Sequence, residues 1–441
     1  MMPWNYRLPK IFFGWWIVIA AFFISFYVGG ASFYSFTAFI SPIVSETGWN
    51  YQQVSLASSL RGLETGLLAP VIGFLIDRWG PRRIIFGGAL IGAWGIILLS
   101  RSTSLTVFYG AFALMAIGTS CCSLTAMIAT IGHWFRSRLG LACAIAVCGY
   151  GFGGLLTPVI TRLIDIYNWR NTLVIIAVGL VVVVLPLSLL FRHKPEQHGY
   201  LPDGQTEKQL TADIAKGLSP APETKITISQ ALKSATFWRI SVAFLIHVIV
   251  LSTTVIHIMP YLESIGVARY RASLVAMAMP LISIGGRLGL GWLGDRTDRR
   301  RVGLISFVLM GLGMLFFDLA ASAGIWLLVP FLLLFGIGYG GSNITRATLG
   351  RVYFGRSNIG LILGLTVGIS RLGGIIGPYL GGWMYDRLGS YQGIWYFFAG
   401  LLVIAIISVL TMPVPRNLTA PTDKDLTGKG GGYGLKESGT D

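Results

Sequence analysis

The chain has 441 residues, 54% of them hydrophobic and only 12% charged, with a formal net charge of +16. A soluble domain of this length needs about twice that share of charge to cover its surface, so the composition excludes an ordinary soluble enzyme and points to a surface that faces hydrocarbon. The positive charge does not describe a nucleic-acid-binding face, because the basic residues sit in short turns between apolar runs.

Runs of about 20 apolar residues each mark a bilayer-crossing helix. The first, from Ile11 to about Phe39, is too long for a cleavable leader and reads as a span. In chain order the spans are expected at 12–38, 52–76, 84–101, 105–131, 139–162, 171–191, 238–262, 271–294, 302–321, 326–350, 358–385 and 392–412. The sequence therefore predicts an all-α membrane protein. A six-helix half over 1–191 and another over 237–412 flank a polar linker at 192–236, and a disordered tail occupies 413–441. The linker is rich in Pro, Gln, Lys, Thr and Asp, which cannot build a packed core, and Ile226–Trp238 reads as a short interfacial helix at its end. Cys121, Cys122, Cys143 and Cys148 all lie inside apolar runs, with no metal or disulfide spacing, and read as small buried side chains. No metal and no cofactor is expected.

Charge sets the orientation. Twenty-four basic residues outside the spans fall on the side of the N-terminus and six on the other. Lys and Arg are retained in the cytoplasm during insertion, so both termini are expected there, in a plasma or bacterial inner membrane. A repeat is also visible. The turn after the second span reads Gly73-Phe-Leu-Ile-Asp77-Arg78-Trp-Gly80-Pro-Arg82-Arg83, and the turn after the eighth reads Gly291-Trp-Leu-Gly-Asp295-Arg296. Phe135 and Arg136 recur near Phe354 and Arg356, and Asp165 recurs as Asp386. Six spans separate the copies, so the halves share one orientation, as in parallel transporter repeats.

Over nearly its whole length the chain resembles the major facilitator superfamily, whose signature turn G-x-x-x-D-R-x-G-x-R-R is matched residue for residue by Gly73–Arg83. The resemblance implies a gating turn formed by Gly73, Asp77, Arg78, Gly80, Arg82 and Arg83, with Asp295 and Arg296 as the second copy. Phe13-Gly14-Trp15-Trp16, Trp134-Phe135-Arg136-Ser-Arg138-Leu-Gly140 with the glycines 149, 151, 153 and 154, and Asp386-Arg-Leu-Gly389 are similar to elements of the bacterial monocarboxylate porter and oxalate/formate antiporter group. Gly373–Gly382 has an antiporter-like G-x-x-x-G-P-x-x-G-G form, but in the eleventh span instead of the fifth, so its plainer meaning is a closely packed helix.

Ionisable groups at mid-membrane cost at least about 2.5–3.5 kcal/mol and need a partner, a cavity or a function. Arg287, in the eighth span, occupies the position of the arginine that binds the substrate carboxylate in the resembled group, and a guanidinium can hold a carboxylate through two parallel hydrogen bonds. Arg371, in the eleventh span, either assists it or pairs with Asp318 or a carbonyl. Arg61 and Glu64 share one helical face and can neutralise each other, yet Glu64 is also the best intramembrane carboxylate for carrying a proton. His247 is a second proton-carrying candidate or a ligand contact. Tyr339, Asn343 and Arg346 make one stripe in the tenth span, with Arg346 near enough to the membrane face to snorkel. Tyr27 and Tyr34 lie seven apart in the first span, on one face, and are expected to line a cavity, with Tyr34, Tyr339 and Asn343 as substrate-binding candidates beside the arginines. Proton-coupled monocarboxylate transporters resemble one another in a first-span lysine and an acid four residues before the eighth-span arginine. Here the first-span interior has no lysine and that second position is Ser283, so their proton relay does not carry over.

The expected protein is a secondary carrier of small organic carboxylates, a monocarboxylate such as lactate or formate or a dicarboxylate such as oxalate. It would work by alternating access with proton coupling or anion exchange, in contact with lipid, as a monomer and without nucleic acid. It is not expected to be an enzyme, and no Gly-x-x-x-x-Gly-Lys-Ser/Thr loop signals ATP use. An exporter of drug-like amphiphiles and a non-transporting membrane sensor are the two other functions such a chain can serve.

Overall fold

A computed structural model of the chain describes residues 12–135, 139–192, 228–354 and 359–413, with the side chains of Arg61, Glu64, Gly73, Asp77, Asp295 and Asn343 among those outside the description. Twelve helical passes account for nearly all of it: α1 (Gly14–Thr47), α2 (Tyr51–Trp79), α3 (Pro81–Ser100), α4 (Leu105–Trp134), α5 (139–167), α6 (169–188), α7 (Ala235–Ser264), α8 (Arg269–Arg296), α9 (Arg299–Ala323), α10 (Leu328–Phe354), α11 (Ile359–Leu388) and α12 (Ile394–Leu410). A short helix at Ile228–Lys233 leads into α7. No strand occurs among the described residues.

Several helices outrun the apolar spans read from the sequence. α1 continues to Thr47 and α11 to Leu388. Hydropathy marks the hydrocarbon, whereas helix length is set by backbone hydrogen bonding, which continues through the headgroup region. Among the described residues, eight continuous helical stretches are long and apolar enough to cross a membrane, one of them a 48-residue run that holds most of α5 and all of α6. α2, α11 and the 17-residue α12 belong to the same bundle. α5 and α6 are joined with no loop. The chain breaks at Asn168 (φ 65°, ψ 169°), whose Oδ1 accepts from the Asn171 N–H at 3.0 Å and so caps α6.

Two further irregularities lie in the N-terminal half. α1 opens into one π turn at Gly29–Phe33 before closing again, and α5 tightens into a 3-10 turn at Gly153–Leu155. The two face each other. A Cβ on Gly153 would stand 2.5 Å from the Gly30 nitrogen, so only glycine permits this approach.

Bonds between helix ends show which ends share a side. On the side of the chain ends, the Trp134 indole donates to the Arg192 carbonyl, Phe13 packs on Trp134, Arg239 donates to the Thr411 carbonyl, and Arg300 donates to the carbonyls of Val409 and Leu410. On the far side, Arg170 pairs with Glu46 at 2.7 Å, and Asp318 Oδ1 accepts from the Gly393 N–H at 2.9 Å. Asp318 therefore caps the start of α12 and is not the partner of Arg371.

The far side also joins the two halves. Arg269 of α8 pairs with Asp165 of α5 at 3.0 Å and with Glu263 at 3.1 Å, and its Nη2 donates to the Ala38 carbonyl of α1. The Gln52 N–H donates to Asp386 at 2.9 Å, Tyr51 packs on Tyr385, and the Met259 N–H donates to the Thr37 hydroxyl. Deeper in the same seam, His257 contacts the Tyr391 hydroxyl, the Pro378 carbonyl and the Ser55 hydroxyl of α2.

Candidate functional site

Arg287 stands where the halves meet. One and two turns earlier on the same face of α8, Ile284 and Pro280 pack against Gly151 and Gly154 of α5, in the other half. The helix is pinned from behind by α10, since a Cβ on Gly340 would lie 2.7 Å from the Arg287 nitrogen. The side chain leans back along the helix, as helical side chains do, so that the guanidinium carbon lies 5.9 Å from the centre of the Tyr339 ring.

Arg287 Nε and Nη1 are buried and have no hydrogen-bond partner among the described residues. No ion pair holds Arg287 among the described residues. Buried guanidinium N–H groups left unbonded carry a desolvation penalty, which a carboxylate delivered to this point removes.

The Tyr339 hydroxyl meets the Tyr34 hydroxyl of α1 at 3.3 Å, closing the space beside Arg287 with one group from each half. Both rings are buried, and Tyr34 lies within electrostatic reach of the guanidinium. Tyr34 comes directly after the π turn, which inserts one residue and rotates the next part of α1 about its axis. Tyr150 and Phe33 complete an aromatic wall, with ring centres 5.6 Å and 5.0 Å from Tyr34.

His247 lies behind Tyr339, its ring nearly parallel at 6.3 Å. Ser342 gives its hydroxyl hydrogen to the Tyr339 carbonyl and meets His247 Nε2 at 3.2 Å. Nε2 is therefore the donor of that pair, and Nδ1 is a buried acceptor with no partner among the described residues. Arg371 is exposed on the face of α11 that, three turns on, abuts the Gln52 backbone at Gly382. That face looks towards the other half. A separate small recess in the N-terminal half is lined by Phe36, Phe39, Phe112, Met115 and others, with no charged residue among them.

The sequence model of the Major Facilitator Superfamily matches twice, over residues 21–367 and 272–430. The chain belongs to this superfamily. It is a membrane transporter and not an enzyme. Its superfamily relatives include monocarboxylate transporter 12-B of Danio rerio, 27% identical over 406 residues covering 88% of this chain and 80% of the relative. Monocarboxylate transporter 13 of Bos taurus is 26% identical over 428 residues, 96% of this chain and 95% of the relative. The uncharacterized MFS-type transporter YcxA of Bacillus subtilis (strain 168) is 26% identical over 421 residues, covering 89% and 92%. The solved nucleoside transporter NupG overlays with a TM-score of 0.70 at 15% identity, covering 90% of this chain and 99% of that one. A D-xylose-proton symporter overlays equally well at 13% identity, covering 92% and 99%.

Within this superfamily fold, Arg287, Tyr34, Tyr339 and His247 come together as a group. Asn343 and Glu64 lie outside the described side chains, as do Gly73, Asp77 and Asp295 of the gating turns. Gly80 ends α2 at φ 81°, and Arg78, Arg82 and Arg83 are exposed around it. Arg296 stacks on Trp292 at 4.1 Å. Tyr27 does not join the group: its hydroxyl donates to the Ile176 carbonyl at 2.8 Å and ties α1 to α6 inside the N-terminal half. Arg346 does not snorkel. It is held below Phe244, with its Nη1 on the Ser370 hydroxyl at 3.5 Å. Sequence reasoning missed Tyr150. Its one signal is a large aromatic residue between two glycines, Gly149 and Gly151.

Proposed function

We propose that this transporter moves small organic carboxylates by alternating access, with Arg287 as the group that receives the carboxylate. The observation that carries this reading is Arg287 at the seam between the halves, with two buried side-chain nitrogens unpartnered among the described residues and two tyrosine hydroxyls converging beside it. A lone fixed cation in such a place is neutralised by an arriving anion. Tyr34 and Tyr339, one from each half, make binding sensitive to how the halves are placed, which is what alternating access requires. Arg371, on the face of α11 that looks towards the other half, adds positive potential along the path of an entering anion, and Asn343 belongs to the same α10 stripe as Tyr339. His247 and Glu64 are the proposed proton-coupling groups. The names of the monocarboxylate transporter relatives support this substrate class. The charge asymmetry of the turns supports cytoplasmic termini.

The test is counterflow of labelled lactate, formate, oxalate and succinate in proteoliposomes, with and without a pH gradient. Charge-assisted hydrogen bonds are each worth about 1.5–3 kcal/mol. Arg287→Lys, which keeps the charge and loses the paired geometry, should therefore lose about tenfold or more of the uptake at unchanged protein level. Undiminished uptake by that variant refutes the role given to Arg287.

A further inference from the structure

Arg346 lies two turns beyond Tyr339 on the same face of α10, about 10 Å nearer the side of the chain ends at 1.5 Å per residue. Its contacts differ from those of Arg287: the Phe244 ring at 5.8 Å and the Ser370 hydroxyl at 3.5 Å. Ser370 gives its own hydrogen to the Thr366 carbonyl at 2.9 Å, so it receives the guanidinium as an acceptor. The next residue is Arg371. The two guanidinium groups lie within electrostatic reach of each other, and Arg346 also acts on His247. Among the described residues neither arginine is paired with a carboxylate. Two like charges on neighbouring helices repel, and an anion lying between them relieves that repulsion. Arg371 thus stands within electrostatic reach of Arg346, next along α11 to the serine that receives the Arg346 guanidinium.

We propose that Arg346 and Arg371 form a second anion-binding station, which takes a small monovalent carboxylate while Arg287 holds another. This deepens the carboxylate reading of the Arg287 site and rests on it. An anion approaching from the side of the chain ends meets the paired cations first. It is passed inward along the α10 face to Arg287, and a second anion restores the charge balance behind it.

The experiment uses the purified full-length chain in detergent, with formate as the probe and bulky gluconate as the background anion, and reads the formate-dependent rise in melting temperature. Wild type should show a rise of which Arg287→Lys removes only part. Arg346→Gln and Arg371→Gln should each remove a different part, and Arg346→Lys should retain it. A rise in Arg346→Gln and Arg371→Gln equal to that of wild type, with Arg287→Lys reduced, overturns the second station and leaves the Arg287 reading standing. A rise lost in Arg346→Gln but untouched in Arg287→Lys keeps the station and overturns the Arg287 reading. No rise in wild type overturns both.

Discussion

Arg287 was visible as a residue type, because a charge in an unbroken apolar run cannot be missed and its cost demands an explanation. Its surroundings were not visible. That Nε and Nη1 have no partner, and that Tyr150 joins the wall beside Tyr34, depend on helices more than 100 residues apart in the chain. Asn168 is a second residue whose meaning is conformational. Its φ of 65° with ψ of 169° lies in a region that non-glycine residues enter at a cost of about 1–3 kcal/mol, offset here by its cap on α6. Asn168→Ala keeps the strain and loses the cap, so it should lower the melting temperature by several degrees. Asn168→Gly relieves the strain and should match or exceed wild type. Thermal unfolding monitored by tryptophan fluorescence in detergent separates the two outcomes.

At the scale of elements, the glycine run of α11 is a packing surface. Cβ atoms on Gly373 and Gly381 would stand 2.5 Å from the Leu245 carbonyl and 2.7 Å from the Thr253 methyl of α7, and Gly377 lies against the Ile249 carbonyl. In lipid, where helices gain little from hiding apolar surface from one another, such close backbone approach is what holds them together. Gly377→Val should force α7 away from α11 at a cost of about 1–3 kcal/mol. A fall in melting temperature and in the monodisperse fraction on size exclusion checks this, and an unchanged value would show that the contact tolerates a side chain. The meaning of that run was legible from its spacing. The π turn of α1 was not, because Gly-Gly-Ala-Ser-Phe reads as an ordinary stretch of an apolar helix. The extra residue exists because α1 must pass the α5 backbone at Gly153 and still bring Tyr34 to Tyr339.

For the molecule as a whole, most of the described bonds between the halves gather on the far side, where Arg269 joins Asp165 and Ala38 and where Asp386 receives Gln52. This side is closed. The Arg269–Asp165 pair is partly exposed, with side-chain accessibilities of 22% and 35%, so its worth is about 0.5–1 kcal/mol. That is small against a whole bundle but enough to shift a two-state balance about two- to fivefold. Asp165→Asn should therefore open the far side more often. The measurement is labelling of Ser55→Cys by a membrane-impermeant thiol reagent. Ser55 is fully buried against His257 in the closed seam. The labelling rate should rise about two- to fivefold in the Asp165→Asn background, and an unchanged rate would remove Asp165 from the latch.

By itself the sequence determined the solvent, the number of passes, the duplicated plan and the superfamily, since hydrocarbon thickness, charge placement and a signature turn act along the chain and leave a periodic record. It also picked out Arg287, because burying a charge is costly wherever the helix goes. Only the tertiary structure decided which neighbours that charge has, that Tyr27 bonds to Ile176 within its own half while Tyr34 meets Tyr339, and that Arg371 lies within electrostatic reach of Arg346. Those outcomes depend on the rotation of each helix and on breaks at Gly29–Phe33, Gly153–Leu155 and Asn168, which arise from contacts between distant segments that no local pattern encodes.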